Sequence, residues 1–133
     1  MPIERINPDG MYDPPNDVLS QVVTATGDRQ IHVAGTISED EDGEIVGETI
    51  EEQTRKTLEN VETSLEAAGA TPEDVVRLTI YTVDAETFVA DGDPHLRSFF
   101  GEETLPAATL IGVDHLARPE FLVELEVTAV VDE

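Results

Sequence analysis

The sequence predicts an α+β fold, and three observations carry that prediction. Residues Phe121 to Val131 alternate strictly, as strand side chains do with their period of two. Thr49 to Ala68 carries an apolar stripe at helical spacing. The elements then follow in the order ββ, loop, α, β, α, β, β, with no internal repeat and no linker across 133 residues. That order fits one domain spanning 1–133, a mixed sheet with two main helices on one face.

The elements can be justified in turn. Residues 1–17 hold Pro2, Pro8, Pro14 and Pro15 and form an irregular lead-in, with a short strand at Ile3 to Ile6. Val18 to Ala25 alternates as a strand, Thr26-Gly27-Asp28 turns, and Gln30 to Gly35 forms a second strand, so the two are expected to pair as a hairpin. Gly35 marks a bulge or a close backbone approach. Ser38 to Glu48 is an acidic loop that partly imitates a calcium loop. Ser38 and Thr49 occupy the first and twelfth places, which in that pattern belong to Asp and a bidentate Glu, so a turn at Asp42-Gly43 is the better reading.

Thr49 and Glu52 form a capping box for the long helix, Ile50, Leu58, Val61, Leu65 and Ala68 mark its buried stripe, and Gly69 ends it. Thr71 to Asp74 turns into a strand at Val75 to Val83, with Val76, Leu78 and Ile80 on one face. A second helix starts at Asp84 with Phe88 inward. Gly92 interrupts it, Asp93 is expected to cap a further helical stretch, and Pro94 opens that stretch as far as Phe100. The last strands are Thr109 to Val113 and Phe121 to Val131. In the latter, Phe121, Val123, Leu125, Val127, Ala129 and Val131 form an apolar face. The other face mixes Glu124 and Glu126 with Leu122, Thr128 and Val130. Two helices cover one side of such a sheet, so the other side calls for a homo-oligomer.

Charge narrows the partners. Thirty acidic residues against seven basic ones give −23, and Lys56 is the only lysine. That field repels phosphate backbones and anionic lipids and argues against nucleic acid and membrane surfaces. It also points to adaptation to high salt, where the Debye length falls to about 3 Å and crowded carboxylates cease to repel strongly. Cysteine is absent, which removes thiolate chemistry and Cys-ligated zinc. No apolar run reaches the roughly 20 residues of a membrane span, and the N-terminus lacks a signal-peptide core, so a soluble, cytoplasmic protein is expected. His32, His95 and His115 have no metal-ligand spacing and read as surface or interface residues. Glu124 and Glu126 read equally as solvated strand residues or, for one of them, as a general acid/base or water-orienting group in an apolar cleft with a raised pKa.

Four stretches carry a resemblance: LSQVV at 19–23, IHVAGTIS at 31–38, EIVGETIEEQTRKTLENVETSLEAAGATPEDVVRLTIYTVD at 44–84, and LPAATLIGVDHLARPEFLVELEVTAVV at 105–131. Together they resemble the Rid family, also called YjgF/YER057c/UK114. The resemblance implies a chorismate-mutase-like fold and a homotrimer around a central barrel, with small-molecule clefts between subunits. It implies enamine/imine deaminase chemistry (2-aminoacrylate-type hydrolysis to keto acid and ammonia) with no cofactor and no metal. Carried over by position, Glu124 matches the water-positioning glutamate and Gly35, with Thr36, the backbone contact. Leu19 stands at a pocket tyrosine. Ala107 and Thr109 flank Ala108, which stands at the arginine that holds the substrate carboxylate. A different small substrate or ligand is therefore expected, neutral or cationic. The alternative is a non-catalytic trimer binding a metabolite or a protein. Arg118, the nearest basic residue in sequence, is expected to brace its own loop or a neighbouring subunit, the alternative being that it holds the substrate from another direction.

Overall fold

The computed structural model describes residues 2–12 and 19–132. Its elements are β1 (Ile3–Ile6), β2 (Val22–Ala25), β3 (Arg29–Thr36), α1 (Ile50–Ala67), a 3-10 turn (Pro72–Asp74), β4 (Val75–Thr82), α2 (Ala85–Asp91), α3 (Asp93–Phe100), β5 (Ala107–Gly112) and β6 (Val123–Val131). The main sheet has the order β3-β6-β4-β5. β6 runs antiparallel to both neighbours, and β5 lies parallel to β4 at the edge.

The alternation of β6 is realised as expected. Phe121, Val123, Leu125, Val127 and Ala129 are buried, while Leu122, Glu124, Thr128 and Val130 are half-buried and Glu126 is exposed. The buried side meets Ile50, Leu58, Val61 and Leu65 of α1 together with Phe88, Leu96 and Phe100 of α2 and α3. The capping box forms: Thr49 Oγ1 accepts from the Glu52 N–H at 3.1 Å, and Glu52 Oε1 accepts from the Thr49 N–H at 3.3 Å. Gly69 adopts φ +81°, the left-handed conformation that closes a helix and that side-chain-bearing residues avoid. The acidic loop closes as a turn: Gly43 has φ +79°, and Asp40 Oδ1 accepts the N–H groups of Asp42 and Glu44 at 2.9 Å each.

Four expectations are corrected. β2 and β3 do not form a hairpin. β2 pairs with β1 in a separate two-stranded sheet, and β3 pairs with β6. Gly27 serves a close approach instead, since a Cβ there would lie 2.7 Å from Val130 Cγ1. That strand also starts at Val22 rather than Val18, which lies outside the described residues. On β4, Val75 rather than Val76 joins Leu78 and Ile80 in the core, because a register shift between Val75 and Arg77 flips the first residue. Asp93 is the first residue of α3 and makes no side-chain cap; Gly92 holds the cap position.

Gln53 is a buried polar residue that sequence reasoning passed over. Its amide donates to Gly47 O at 3.1 Å and Glu120 O at 2.9 Å, and its oxygen accepts the Leu122 N–H at 2.8 Å. Thr82 Oγ1 donates to Leu122 O at 3.0 Å. The chain entering β6 is thus fixed from two sides, and β6 carries Glu124.

Candidate functional site

Pairing registers decide which predicted site residues can meet. Glu124 stands opposite Tyr81, and Glu126 opposite Thr79. Thr79 and Tyr81 stand beside Thr109 and Ile111 of β5. By strand alternation all of these belong to the face turned away from α1, as do Arg77, Ala107 and Thr128. On this open face Tyr81 Oη donates to Glu126 Oε1 at 3.4 Å, and Arg77 Nη2 donates to Thr109 Oγ1 at 2.6 Å. Ala108 and Leu110 stand beside Leu78 and Ile80 and belong to the face that the helices cover. One protomer therefore separates the predicted residues into two groups on opposite sides of the sheet.

The first group is Gly35 and Glu124. A Cβ placed on Gly35 would lie 1.8 Å from Glu124 Oε2, so the carboxylate rests directly against the glycine backbone. The ladder shifts register between Val33 and Thr36, which frees this stretch from regular pairing with β6. Both readings of Gly35, bulge and close approach, are realised together. Burial pushes the Glu124 carboxyl above the usual glutamate range, and the neighbouring charge of Glu126 pushes the same way. A half-buried carboxylate with raised basicity and one side packed on bare backbone is suited to accept a proton from water. Thr36 Oγ1 donates to Ala34 O at 2.8 Å. Gly35 and Thr36 also line a polar cavity of about 520 Å³ reaching toward Lys56, Asn60 and the acidic loop.

The second group is Leu19, Ala108 and Leu110. With Ile80, Val89, Asp93 and Leu96 they line a mainly apolar cavity of about 170 Å³ between the sheet and the helices α2 and α3. Leu19 is held there by its neighbour. Buried Ser20 donates through Oγ to Leu105 O at 2.7 Å and through its N–H to Pro106 O at 3.0 Å. Asp93 is half-buried, and burial raises its carboxyl above the usual aspartate range against the opposing charge of Arg97. By local pattern it had looked like a helix cap; its place in a cavity depends on α2 and α3 being brought to the sheet, which no local pattern encodes.

Arg118 does not line the Ala108 cavity. Its guanidinium lies 5.5 Å from the centroid of the Phe121 ring, with Nε 4.0 Å from Glu120 Oε1, in keeping with a loop-bracing role. Arg77 was not singled out from the sequence, yet it is the basic residue beside Ala107 and Thr109 on the open face. His32 contacts Gln30 and Thr128, His95 contacts Glu51 at 3.0 Å, and His115 contacts Leu116 O. Among the described residues no group of three or more histidine and acidic side chains is placed to hold a metal ion. No helix among them is long and apolar enough to cross a membrane.

Comparison with known proteins agrees with this architecture. The family described as endoribonuclease L-PSP matches residues 13–131. A RutC family protein of Pyrococcus abyssi is 40% identical over 100 residues, covering 74% of this chain and 76% of that protein. A 2-iminobutanoate/2-iminopropanoate deaminase of Salmonella typhimurium is 32% identical over 123 residues, 91% of this chain and 88% of the enzyme. Among solved structures, a Rid-family protein of unknown function from Yersinia pestis superposes with a TM-score of 0.93 at 36% identity, covering 98% of this chain and all of that one.

Proposed function

The chain belongs to the endoribonuclease L-PSP family, the Rid or RutC family of its relatives, and from that premise we propose that it hydrolyses a small imine or enamine without a free carboxylate. The observation that carries the reading is the Glu124 carboxylate seated on Gly35 with its basicity raised. An enamine first tautomerises to its imine, and the imine reacts protonated on nitrogen. Glu124 accepts a proton from water as the water oxygen bonds to the imine carbon and the C=N π pair moves onto nitrogen, which gives a neutral carbinolamine. Glu124 then returns that proton to the nitrogen, the hydroxyl oxygen forms the C=O bond as the C–N bond breaks, ammonia leaves, and the hydroxyl proton passes back to the Glu124 carboxylate. Backbone N–H groups near Gly35 and Ala107 to Thr109 hold the developing polar centre, and Leu19, Ala108 and Leu110 shape the apolar wall.

The split of the site residues across the sheet supports assembly. A second copy that covers the open face brings its own cavity residues toward the first copy's Glu124, and a homotrimer with one cleft at each of its subunit boundaries satisfies all three protomers. The similarity to the Salmonella deaminase supports the reaction class. Ala108, placed in an apolar wall, supports the change of substrate: with no guanidinium there, an anionic substrate would meet Glu124 and Asp93 instead. The formal charge of −23 weighs against RNA as the substrate.

The test is ammonia release by the purified protein in molar KCl from two substrates, freshly generated 2-aminoacrylate and a neutral aliphatic imine. The expected result is faster turnover of the neutral imine, abolished in Glu124→Gln. Turnover that survives Glu124→Gln unchanged would overturn the assignment. The absence of the arginine favours a second reading, a non-catalytic trimer that binds a metabolite; saturable binding without ammonia release from either compound would select it. The acidic surface with its single lysine further supports a protein adapted to high salt. A melting temperature that rises between low and molar KCl is the expected result, and equal values at both would remove that reading.

A further inference from the structure

The cavity around Ala108 differs from the polar cavity at Gly35 in one respect that bears on chemistry. Its wall is apolar, formed by Leu19, Ile80, Leu96, Ala108 and Leu110, and the single charged side chain in that wall is Asp93. Asp93 is the first residue of α3, next to Pro94, and its side chain is not used as a helix cap. Burial works against its negative charge, and Arg97 offsets that only in part. A carboxylate in such surroundings gains from a cation that brings its own hydrogen-bond donors. The space is small: a cavity of about 150 Å³ accommodates a molecule the size of benzene, so about 170 Å³ takes roughly six or seven non-hydrogen atoms.

We propose that this cavity binds the ammonium end of a small aliphatic amine, with Asp93 as the counter-ion and Leu19, Ala108 and Leu110 packing the hydrocarbon. The proposal deepens the cleft reading above and rests on it for the catalytic half. The substrate would then carry a protonated amine at the position where a carboxylate is expected in the arginine-bearing deaminases. The charge preference of the pocket is inverted by two residues acting together, alanine at 108 and aspartate at 93.

The experiment titrates the full chain, at the salt concentration where it is folded, with n-butylammonium, n-butanol and butyrate, followed by amide chemical shifts. Saturable shifts at Leu19, Ala108 and Leu110 are expected with butylammonium, weaker ones with butanol, and none with butyrate. Asp93→Asn should weaken butylammonium by about tenfold or more and leave butanol unchanged, as removal of a charge-assisted hydrogen bond predicts. Ala108→Arg should reverse the preference toward butyrate. Equal affinity for all three ligands, or butyrate binding to the unaltered protein, would overturn the proposal with no variant needed. Glu124→Gln separates the two ideas. If it keeps amine binding while ammonia release disappears, both stand. If amine binding is absent while ammonia release still depends on Glu124, only the ligand class falls. If butylammonium binds and no ammonia is released by any form, the deaminase reading falls and the amine site remains.

Discussion

The two faces of the main sheet solve opposite problems with the same strands. On the open face, β6 holds Glu124 against Gly35, with Glu126 and Tyr81 on the same face and Arg77 further along it beside Thr128. On the covered face, one residue over in the alternation, β5 presents Ala108 and Leu110 to an apolar cavity closed by Leu96 and Asp93. The first arrangement suits proton transfer, because a carboxylate with raised basicity needs water within reach. The second suits binding, because a mainly apolar wall offers few partners to the one charged side chain it contains. The contrast teaches that the two candidate groups of residues lie on separate sheet faces, and the proposed assembly is what would bring them into one cleft.

That division can be broken in several ways. Replacing Glu124 by Gln should lower turnover by about 10²-fold or more, the usual contribution of a positioned acid/base, while ligand affinity on the covered face holds. Initial rates and a binding isotherm on one preparation would check it; an equal loss of both would show that the faces are not separate. Gly35→Ala strikes the same face through the backbone. With a Cβ demanding space 1.8 Å from Glu124 Oε2, the carboxylate must swing away, and turnover should drop by about tenfold or more at unchanged helicity. Steady-state kinetics with far-UV circular dichroism would read it.

Gln53→Ala tests what both faces share. It leaves Gly47 O, Glu120 O and the Leu122 N–H without their partner. These bonds are part-buried, so an unfolding free energy lower by about 1–3 kcal/mol in total is expected from denaturant titration. The smallest effect concerns pH. Because the folded protein holds the Glu124 proton more tightly than the unfolded chain does, stability should be greatest at low pH as far as this group is concerned. It should decline as pH rises from the ordinary glutamate value of about 4.3 through the higher folded value. The Glu124→Gln protein should lack that decline, so the difference in melting temperature between the two should grow from acid to neutral pH. A constant difference would mean that Glu124 titrates normally.

Much of this fold was legible residue by residue. The alternation of Phe121 to Val131 and the stripe along α1 are local patterns, and each appears where the pattern placed it. Gly35 was legible as a glycine with a backbone purpose, and its companion Glu124 was legible as one of two carboxylates on a mixed strand face, which the family resemblance then singled out from Glu126. The failures share a physical cause. β2 and β3 adjoin in sequence, but their partners, β1 and β6, are decided by distant residues. The flip at Val75 comes from a register shift imposed by β6. Gln53 looks like an ordinary surface glutamine on a helix until the loop before β6 is laid across it. Asp93 carries the composition of a cap, and its cavity exists only once α2 and α3 have been brought to the sheet. Properties that one segment determines were readable; those that two distant segments determine together were not.

The strand order has a consequence for how the chain reaches this state. β6 sits between β3 and β4 and supplies the partner for both, yet among the described strands it is the last to be synthesised. Until residues 123–131 leave the ribosome, β3 and β4 have no common neighbour, and α1 has no complete apolar floor to pack on. A nascent chain paused before that point must carry exposed strand edges and an unpaired helix face, which is the form that chaperones bind and that aggregates. Formation of the sheet is thereby tied to completion of one late segment, and the carboxylate that segment carries arrives together with the structure that positions it.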